Sequence, residues 1–414
     1  MKRAGLAAAI VLAIACPLLL VHTGGAALHD GDEAIYAEMA REMVSSGNWG
    51  DLTWQGETLY PRPPGAIWTL AAVRAAWPAG ARDERVVRYP LAFLCALELA
   101  LLVILGTQLF DLAVGVTAAG VLLTSDLFIG YARYFESEPL LCVLILGAFI
   151  CYEAARARPR FALGFGLCLG AALMTKQVVG AVPLLALLVD RTGEREGRVS
   201  ARAVAGGLAV ALAVWLPWHV WALALHGRAF VDGYFLGEVL ERSRQPILHL
   251  TRFSYYVREL WRSEGPLVLL ALAGIGWAAV GAARRRRRRD LLISIWALGG
   301  LVAFSLARTR FDYYLLVVYP ALALGAATLV WTRLPLGKRA RLALAIALIG
   351  AGAIAHLARD LSRFDGDDEV RALARVASAH EPPEAELYLY NTHPYSARYY
   401  SERKVVTLLE SPAD

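Results

Sequence analysis

Residues 204–225 read VAGGLAVALAVWLPWHVWALAL, a stretch with no Asp, Glu, Lys or Arg. An apolar run of roughly 18 or more residues, wound as a helix, is long enough to cross the hydrocarbon of a bilayer. The same kind of run recurs at Ala4–Val21, Leu91–Leu109 and Leu342–Leu357. These runs account for the composition of the 414-residue chain: 57% hydrophobic, 19% charged, mean hydropathy +0.47. A soluble domain is about a quarter charged. A soluble enzyme, a disordered chain and a secreted disulfide scaffold are excluded on this ground. The five cysteines, Cys16, Cys95, Cys142, Cys151 and Cys168, lie in apolar stretches without a C-x-x-C pair. They read as small packing residues, not as a disulfide frame or a zinc site.

Working outward from these runs gives spans at about 4–21, 88–109, 112–130, 139–155, 161–174, 177–189, 204–225, 265–282, 291–306, 313–331 and 341–358. The fifth and sixth are short, which suits local thinning of the bilayer or partial re-entry. Met1-Lys2-Arg3 before the first run also suits a cleaved signal peptide; the charge pattern favours an uncleaved first helix. With the N-terminus in the cytoplasm, the inner loops hold Arg156, Arg158 and Arg160; Arg191, Arg195, Arg198 and Arg202; Arg284–Arg289; and Arg333, Lys338, Arg339 and Arg341. That is the positive-inside pattern. It accounts for the net charge of +6 without nucleic acid, and it makes the run Arg284–Arg289 a topology anchor.

The same topology sends the elaborated segments to the other face. They are a first outer loop, 22–85; a second, 226–264; short loops at Tyr131–Glu138 and Arg308–Asp312; and a tail, 359–414, beyond a membrane domain of residues 1–358. In the first loop, Asp32–Val44 and Gly65–Trp77 read as amphipathic helices at the membrane surface. In the tail, 367–380 reads as helix, and Glu386–Tyr390 and Lys404–Leu409 as strands. The tail is too short for a core of its own and is expected to pack on the outer loops.

Ionisable residues at a membrane are expensive unless paired or functional. Those on the elaborated face are Asp32 and Glu33, Glu136 and Glu138, Lys176, Glu238 with Arg242 at i, i+4, and Arg308 with Arg310. Each has a plainer use: Asp32 as a helix cap, Lys176 snorkelling, Glu238 and Arg242 as a surface ion pair, Arg308 and Arg310 against headgroups. His29, His219 and His249 are scattered, with no metal-ligand spacing.

Several of these residues sit in recognisable motifs. The order is Asp32-Glu33-Ala34-Ile35-Tyr36-Ala37-Glu38-Met39-Ala40-Arg41, Gly47-Asn48-Trp49, and Tyr60-Pro61-Arg62-Pro63-Pro64-Gly65-Ala66-Ile67-Trp68. Then come Arg133–Pro139, Met174-Thr175-Lys176, Pro217-Trp218, Tyr234–Arg242, and Arg310–Leu316 leading to Tyr319-Pro320. The series resembles the protein mannosyltransferase and lipid A aminoarabinose transferase superfamily across most of the membrane region. The resemblance implies an all-α, GT-C-type bundle of about eleven membrane helices with a small α/β tail. It implies a glycosyltransferase in the bacterial inner membrane, working on the periplasmic side. The donor would be a polyprenyl-phosphate-linked sugar and the acceptor lipid A, another glycolipid or a glycan. It implies catalytic roles for Asp32, its companion Glu33, and Glu138. Arg62, at a carrier-phosphate position, Lys176 and Arg310 would bind substrate, with Glu238 and Arg242 beside them. Two departures, Ile35 where the aminoarabinose branch has arginine and Pro61 where it has glutamate, bear on which sugar is carried.

The chemistry suits these residue types. A lipid phosphate is already a good leaving group, so cations that stabilise its departure matter more than a general acid. Guanidinium makes bidentate phosphate contacts. An acceptor hydroxyl needs a base, for which Asp32 is the candidate. No cofactor is required by this scheme; Asp32 with Glu138 holding a divalent cation is an alternative use of the same carboxylates. Two other functions compete: protein O-glycosylation by the same chemistry, and a transporter, which would place polar residues near the midplane instead of at loop junctions.

Overall fold

The computed structural model describes residues 2–21, 23–59, 62–77, 83–192, 197–241, 254–285, 287–333, 337–360, 368–380, 382, 385–390, 395–401 and 403–408. Each expected span has a helical segment. They are α1 (Lys2–Leu20), α4 (Glu84–Leu109), α5 (Leu112–Leu123) with α6 (Asp126–Tyr131), α7 (Glu138–Ala155), α8 (Phe161–Thr175), a 3-10 segment (Val179–Leu184) running into α9 (Leu185–Thr192), and α10 (Ala201–His226). Beyond the second outer loop come α12 (Leu267–Arg285), α13 (Arg288–Leu306), a 3-10 segment (Asp312–Val317) before α14 (Tyr319–Arg333), and α15 (Lys338–Asp360). Six of these, α1, α4, α7, α10, α12 and α13, are long and apolar enough by length and composition to cross a membrane. α5, α8 and most of α14 are shorter apolar helices; crossings at the remaining expected positions stay expectations.

The expected third span is broken at Thr124-Ser125, where the Ser125 side chain caps α6 through the Phe128 N–H. Glycines let neighbouring helices approach closely: a Cβ on Gly166 of α8 would lie 1.9 Å from the Gly207 carbonyl oxygen of α10. Small residues at such a crossing are how helices pack where no hydrophobic effect drives them together.

The first outer loop contains α2 (Asp32–Ser46), a two-residue hairpin of β1 (Thr53–Trp54) and β2 (Glu57–Thr58), and α3 (Gly65–Ala76). In the second outer loop α10 gives way to a π-helical segment (Val231–Glu241), and α11 (Tyr255–Glu264) leads back to the bundle. The tail forms α16 (Asp368–His380), β3 (Leu387–Tyr390), α17 (Tyr395–Ser401) and β4 (Val405–Leu408), with β3 and β4 parallel.

The tail sits on the first loop. Arg398 of α17 pairs with Glu38 (2.8 Å) and Glu42 (3.4 Å) of α2. The Tyr400 hydroxyl donates to Glu84 and accepts from the Leu28 N–H. Covered in this way, α2 buries residues on nearly every side, its acidic Glu33, Glu38 and Glu42 included. It is enclosed by protein, whereas its amphipathic pattern alone suggested a helix resting on lipid.

Candidate active site

Asp32 opens α2, and Arg62 lies in the chain entering α3. The Arg62 guanidinium donates to the Asp32 carboxylate at 2.6 Å and lies 5.4 Å from the centroid of the Tyr36 ring. Its other terminal nitrogen donates to the Ser137 hydroxyl at 3.3 Å. Ser137 Oγ in turn donates to Glu138 Oε2 at 3.1 Å, and the opposite oxygen of Glu138 receives the Lys176 ammonium. Asp32, Arg62, Ser137, Glu138 and Lys176 therefore form one continuous polar chain. The two acid–base pairs come from segments 30 and 38 residues apart.

Local sequence explains this convergence. Glu138 is the first residue of α7, behind Ser137, with Pro139 pre-set for a helical first turn. Lys176 directly follows α8. A Cβ on Gly65 would lie 2.6 Å from the Met174 carbonyl oxygen, so α3 starts against the last turn of α8 with room only for hydrogen. That contact brings the Arg62 segment beside Lys176. The Lys176 ammonium also lies 4.3 Å from the Tyr314 ring centroid and 5.3 Å from that of Tyr313, a cation–π arrangement that helps hold a charge away from water. Of the paired side chains, Asp32 is 29% exposed, against 9% for Arg62, 11% for Lys176 and none for Glu138. The polar chain thus opens outward at Asp32.

Glu33 has a different environment. Its carboxylate pairs with Arg88 at 2.8 Å, both side chains almost fully buried. It also accepts from the N–H groups of Phe135 and His29. Arg88 spends its remaining donors on the carbonyls of Thr23, Ala26 and Ala27. Breaking a buried pair of this kind costs about 3–5 kcal/mol, so the clamp fixes the loop ahead of α2 and the aim of Asp32. Arg310 is buried and donates to the Ser305 carbonyl at 2.8 Å, just ahead of the segment bearing Tyr313 and Tyr314. Glu238 lies on the π-helical segment, where the α-helical spacing assumed for it does not hold, and Arg242 lies outside the described residues.

Sequence reasoning placed Glu136 on the working face without assigning it a role. It is buried, with one carboxylate oxygen lacking a hydrogen-bond partner. Burial, then the nearby Asp32 and Glu138 charges, push its carboxyl well above the usual range, against the pull of Arg62 and Lys176. Its motif gave the only signal: an acid two residues before another at the entry to a span.

Comparison with known proteins places this fold in a class. The architecture is GT-C-type, that of a multi-pass helical membrane protein. ArnT from Cupriavidus metallidurans, solved bound to undecaprenyl phosphate, superposes with a TM-score of 0.78 at 19% identity, covering 98% of this chain and 86% of that one. The Archaeoglobus fulgidus oligosaccharyltransferase, tethered to an acceptor peptide, superposes with a TM-score of 0.68 at 14% identity, covering 96% and 63%. The profile of the dolichyl-phosphate-mannose-protein mannosyltransferase family matches residues 61–221.

In sequence the chain is similar to undecaprenyl phosphate-alpha-4-amino-4-deoxy-L-arabinose arabinosyl transferases. It is 28% identical to the one from Pectobacterium carotovorum over 83% of this chain and 65% of that protein. It is 30% identical to one from Sodalis glossinidius over 74% and 55%. The resemblance read from the motifs is thereby borne out. The chain spans less than two thirds of the length of these curated relatives.

Proposed function

We propose that the chain is a membrane glycosyltransferase that moves a sugar from a polyprenyl-phosphate carrier to an envelope acceptor. The class of sugar is a pentosyl group of the aminoarabinose kind, with lipid A or another envelope glycolipid or glycan accepting it. The proposal places the N-terminus in the cytoplasm and the Asp32 face on the periplasmic side of the bacterial inner membrane. The observation that carries it is the partly open Asp32–Arg62 pair at the head of a buried chain of charges.

In this reading Arg62 exchanges its contact with Asp32 for the donor's phosphate. The bond from the anomeric carbon to the phosphate oxygen breaks, and the electron pair leaves on a phosphate held by Arg62 with Lys176 behind it. Asp32, released from Arg62, takes the proton of an acceptor hydroxyl as that oxygen bonds to the opposite face of the anomeric carbon, which inverts the configuration. A phosphate acceptor, already ionised, needs no base; Asp32 then faces the positive charge developing on the sugar. Glu138 holds Lys176, Glu33 holds the loop before Asp32, and Arg310, Glu238 and Arg242 are assigned to the substrate approach.

Asp32 and Glu138 are already paired with Arg62 and Lys176. Among the described residues no group of three or more His, Cys, Asp or Glu side chains is placed to hold a metal. With Arg62 and Lys176 on them, the Asp32 and Glu138 carboxylates are not arranged as the ligand set of a resident divalent cation. The distant Archaeoglobus protein has been solved in complex with zinc and sulfate.

The test is transfer of labelled sugar from an undecaprenyl-phosphate donor by purified protein. Asp32→Asn and Arg62→Ala should each lower the rate by about 100- to 1000-fold while the protein elutes and melts as wild type. Full activity in both variants rejects the site. The mannosyltransferase profile favours a second reading, protein O-glycosylation; label appearing in protein instead of lipid would select it.

A further inference from the structure

At the opposite end of the bundle Arg287, Arg288 and Arg289 of the arginine run line a pocket. The C-terminal ends of α4 and α7, the helix α9 and the first turn of α13 enclose about 420 Å³, bordered by Gln108, Glu153, Arg156, Arg287, Arg288 and Arg289. Glu138 and Arg156 stand at opposite ends of α7. At 1.5 Å per residue the pocket lies roughly 27 Å from the candidate active site, so it is no part of it.

Four arginines face one lining carboxylate, Glu153, and a second carboxylate, Asp190, sits behind them. Asp290 lies 3.9 Å from Arg289, so the balance is four positive charges against three negative. Two of the acids hold Arg156 in place: Glu153 at 2.8 Å and Asp190 at 2.6 Å, with the Gly197 carbonyl accepting as well. Arg288 lies 3.8 Å from Asp190. Arg289 donates to the Leu109 carbonyl and its guanidinium lies 4.8 Å from the centroid of the Phe110 ring. The N-terminus of α13 adds its partial positive charge. Gln108 uses its amide N–H on the Ile150 carbonyl, while its side-chain oxygen is buried with no hydrogen-bond partner. A concave, cationic site with one orphan acceptor, at the end of a membrane bundle, calls for an anion that also carries a hydroxyl.

We propose that this pocket binds the phosphodiester headgroup of an anionic, hydroxyl-bearing lipid in the leaflet opposite the Asp32 site. The phosphate meets Arg287 and Arg288, and the hydroxyl donates to Gln108. The shared chemistry also fits a free phosphate compound, and the experiment separates the two.

Full-length protein is reconstituted in nanodiscs of phosphatidylcholine with a minor fraction of phosphatidylglycerol, and retained lipid is counted by native mass spectrometry. Wild type should retain phosphatidylglycerol selectively. Arg287→Gln with Arg288→Gln should lower that affinity by about 25-fold, since each arginine beside an anionic lipid is worth about a factor of five. Arg158→Gln with Arg160→Gln removes the same charge from exposed positions outside the pocket, and should stay within about twofold of wild type. Gln108→Leu alters no charge and should weaken phosphatidylglycerol but not phosphatidylmethanol, an anionic phosphodiester without a headgroup hydroxyl. Equal loss in both double variants, or equal retention of neutral and anionic lipid, overturns the proposal. Displacement of the lipid by inorganic phosphate overturns its lipid source.

Discussion

At the scale of single residues the site is a problem of crowded charge. Three carboxylates, Asp32, Glu136 and Glu138, share one enclosure with two cations, Arg62 and Lys176. Burial, then the nearby Asp32 and Glu138 charges, push the Glu136 carboxyl well above the usual range, so Glu136 is the group expected to hold a proton near neutral pH. The sign follows from linkage. An unfolded glutamate ionises near pH 4.3, so above that pH the native chain holds a proton that the unfolded chain has released. Stability then falls as pH rises toward the native pKa of Glu136. Glu136→Gln imitates the protonated form and removes this dependence. Melting in detergent from pH 5 to pH 8 should show the variant gaining on wild type as pH rises; a constant difference would show Glu136 ionised throughout. The carboxylates themselves were legible in the sequence, because acids beside membrane spans are conspicuous. Their sorting was not. Glu33 and Asp32 are adjacent, yet one is sealed against Arg88 and the other meets Arg62 at an open edge. Arg88 stands at the start of a long apolar run and reads as an ordinary membrane-edge cation.

At the scale of elements, the placement of Arg62 depends on how α3 meets α8. Gly65 tolerates nothing larger than hydrogen against the Met174 carbonyl. Gly65→Ala must push α3 away, and Arg62 moves with it. A displacement near 1 Å can cost about 100-fold in rate, so the variant should lose transfer on that order with its circular dichroism unchanged. Activity within a few-fold of wild type would mean that the Arg62 segment is held by other contacts. Sequence periodicity located these helices well, because apolar runs and proline pairs mark their limits. It missed the break at Thr124-Ser125, whose only signal is a serine cap inside an apolar run. It also read Tyr234–Arg242 with α-helical spacing, whereas residues 231–241 adopt the wider π turn. Hydrophobic pattern alone does not separate these two windings.

At the scale of the whole molecule, two distant parts of the chain build one roof. Arg398 and Glu38 are 360 residues apart and meet at 2.8 Å. Arg398→Ala removes a charge-assisted contact, a change worth about 1.5–3 kcal/mol. The lower end applies, because Glu38 keeps Arg41 at 2.6 Å. Hydrogen exchange should quicken together in α17 and α2, and in α17 alone if the tail is merely resting there. That the tail would fold back was legible from its size, since it is too short to enclose a core. Where it lands was not, because neither Glu38 nor Arg398 carries a pattern that names the other. The landing point has a consequence for how the protein comes into being. Asp32 is synthesised early, but the cover over its helix is made hundreds of residues later and must reach the same side of the bilayer. A half-made chain therefore presents Asp32 on an uncovered helix, and that helix gains its cover only when the later segment comes to lie beside it.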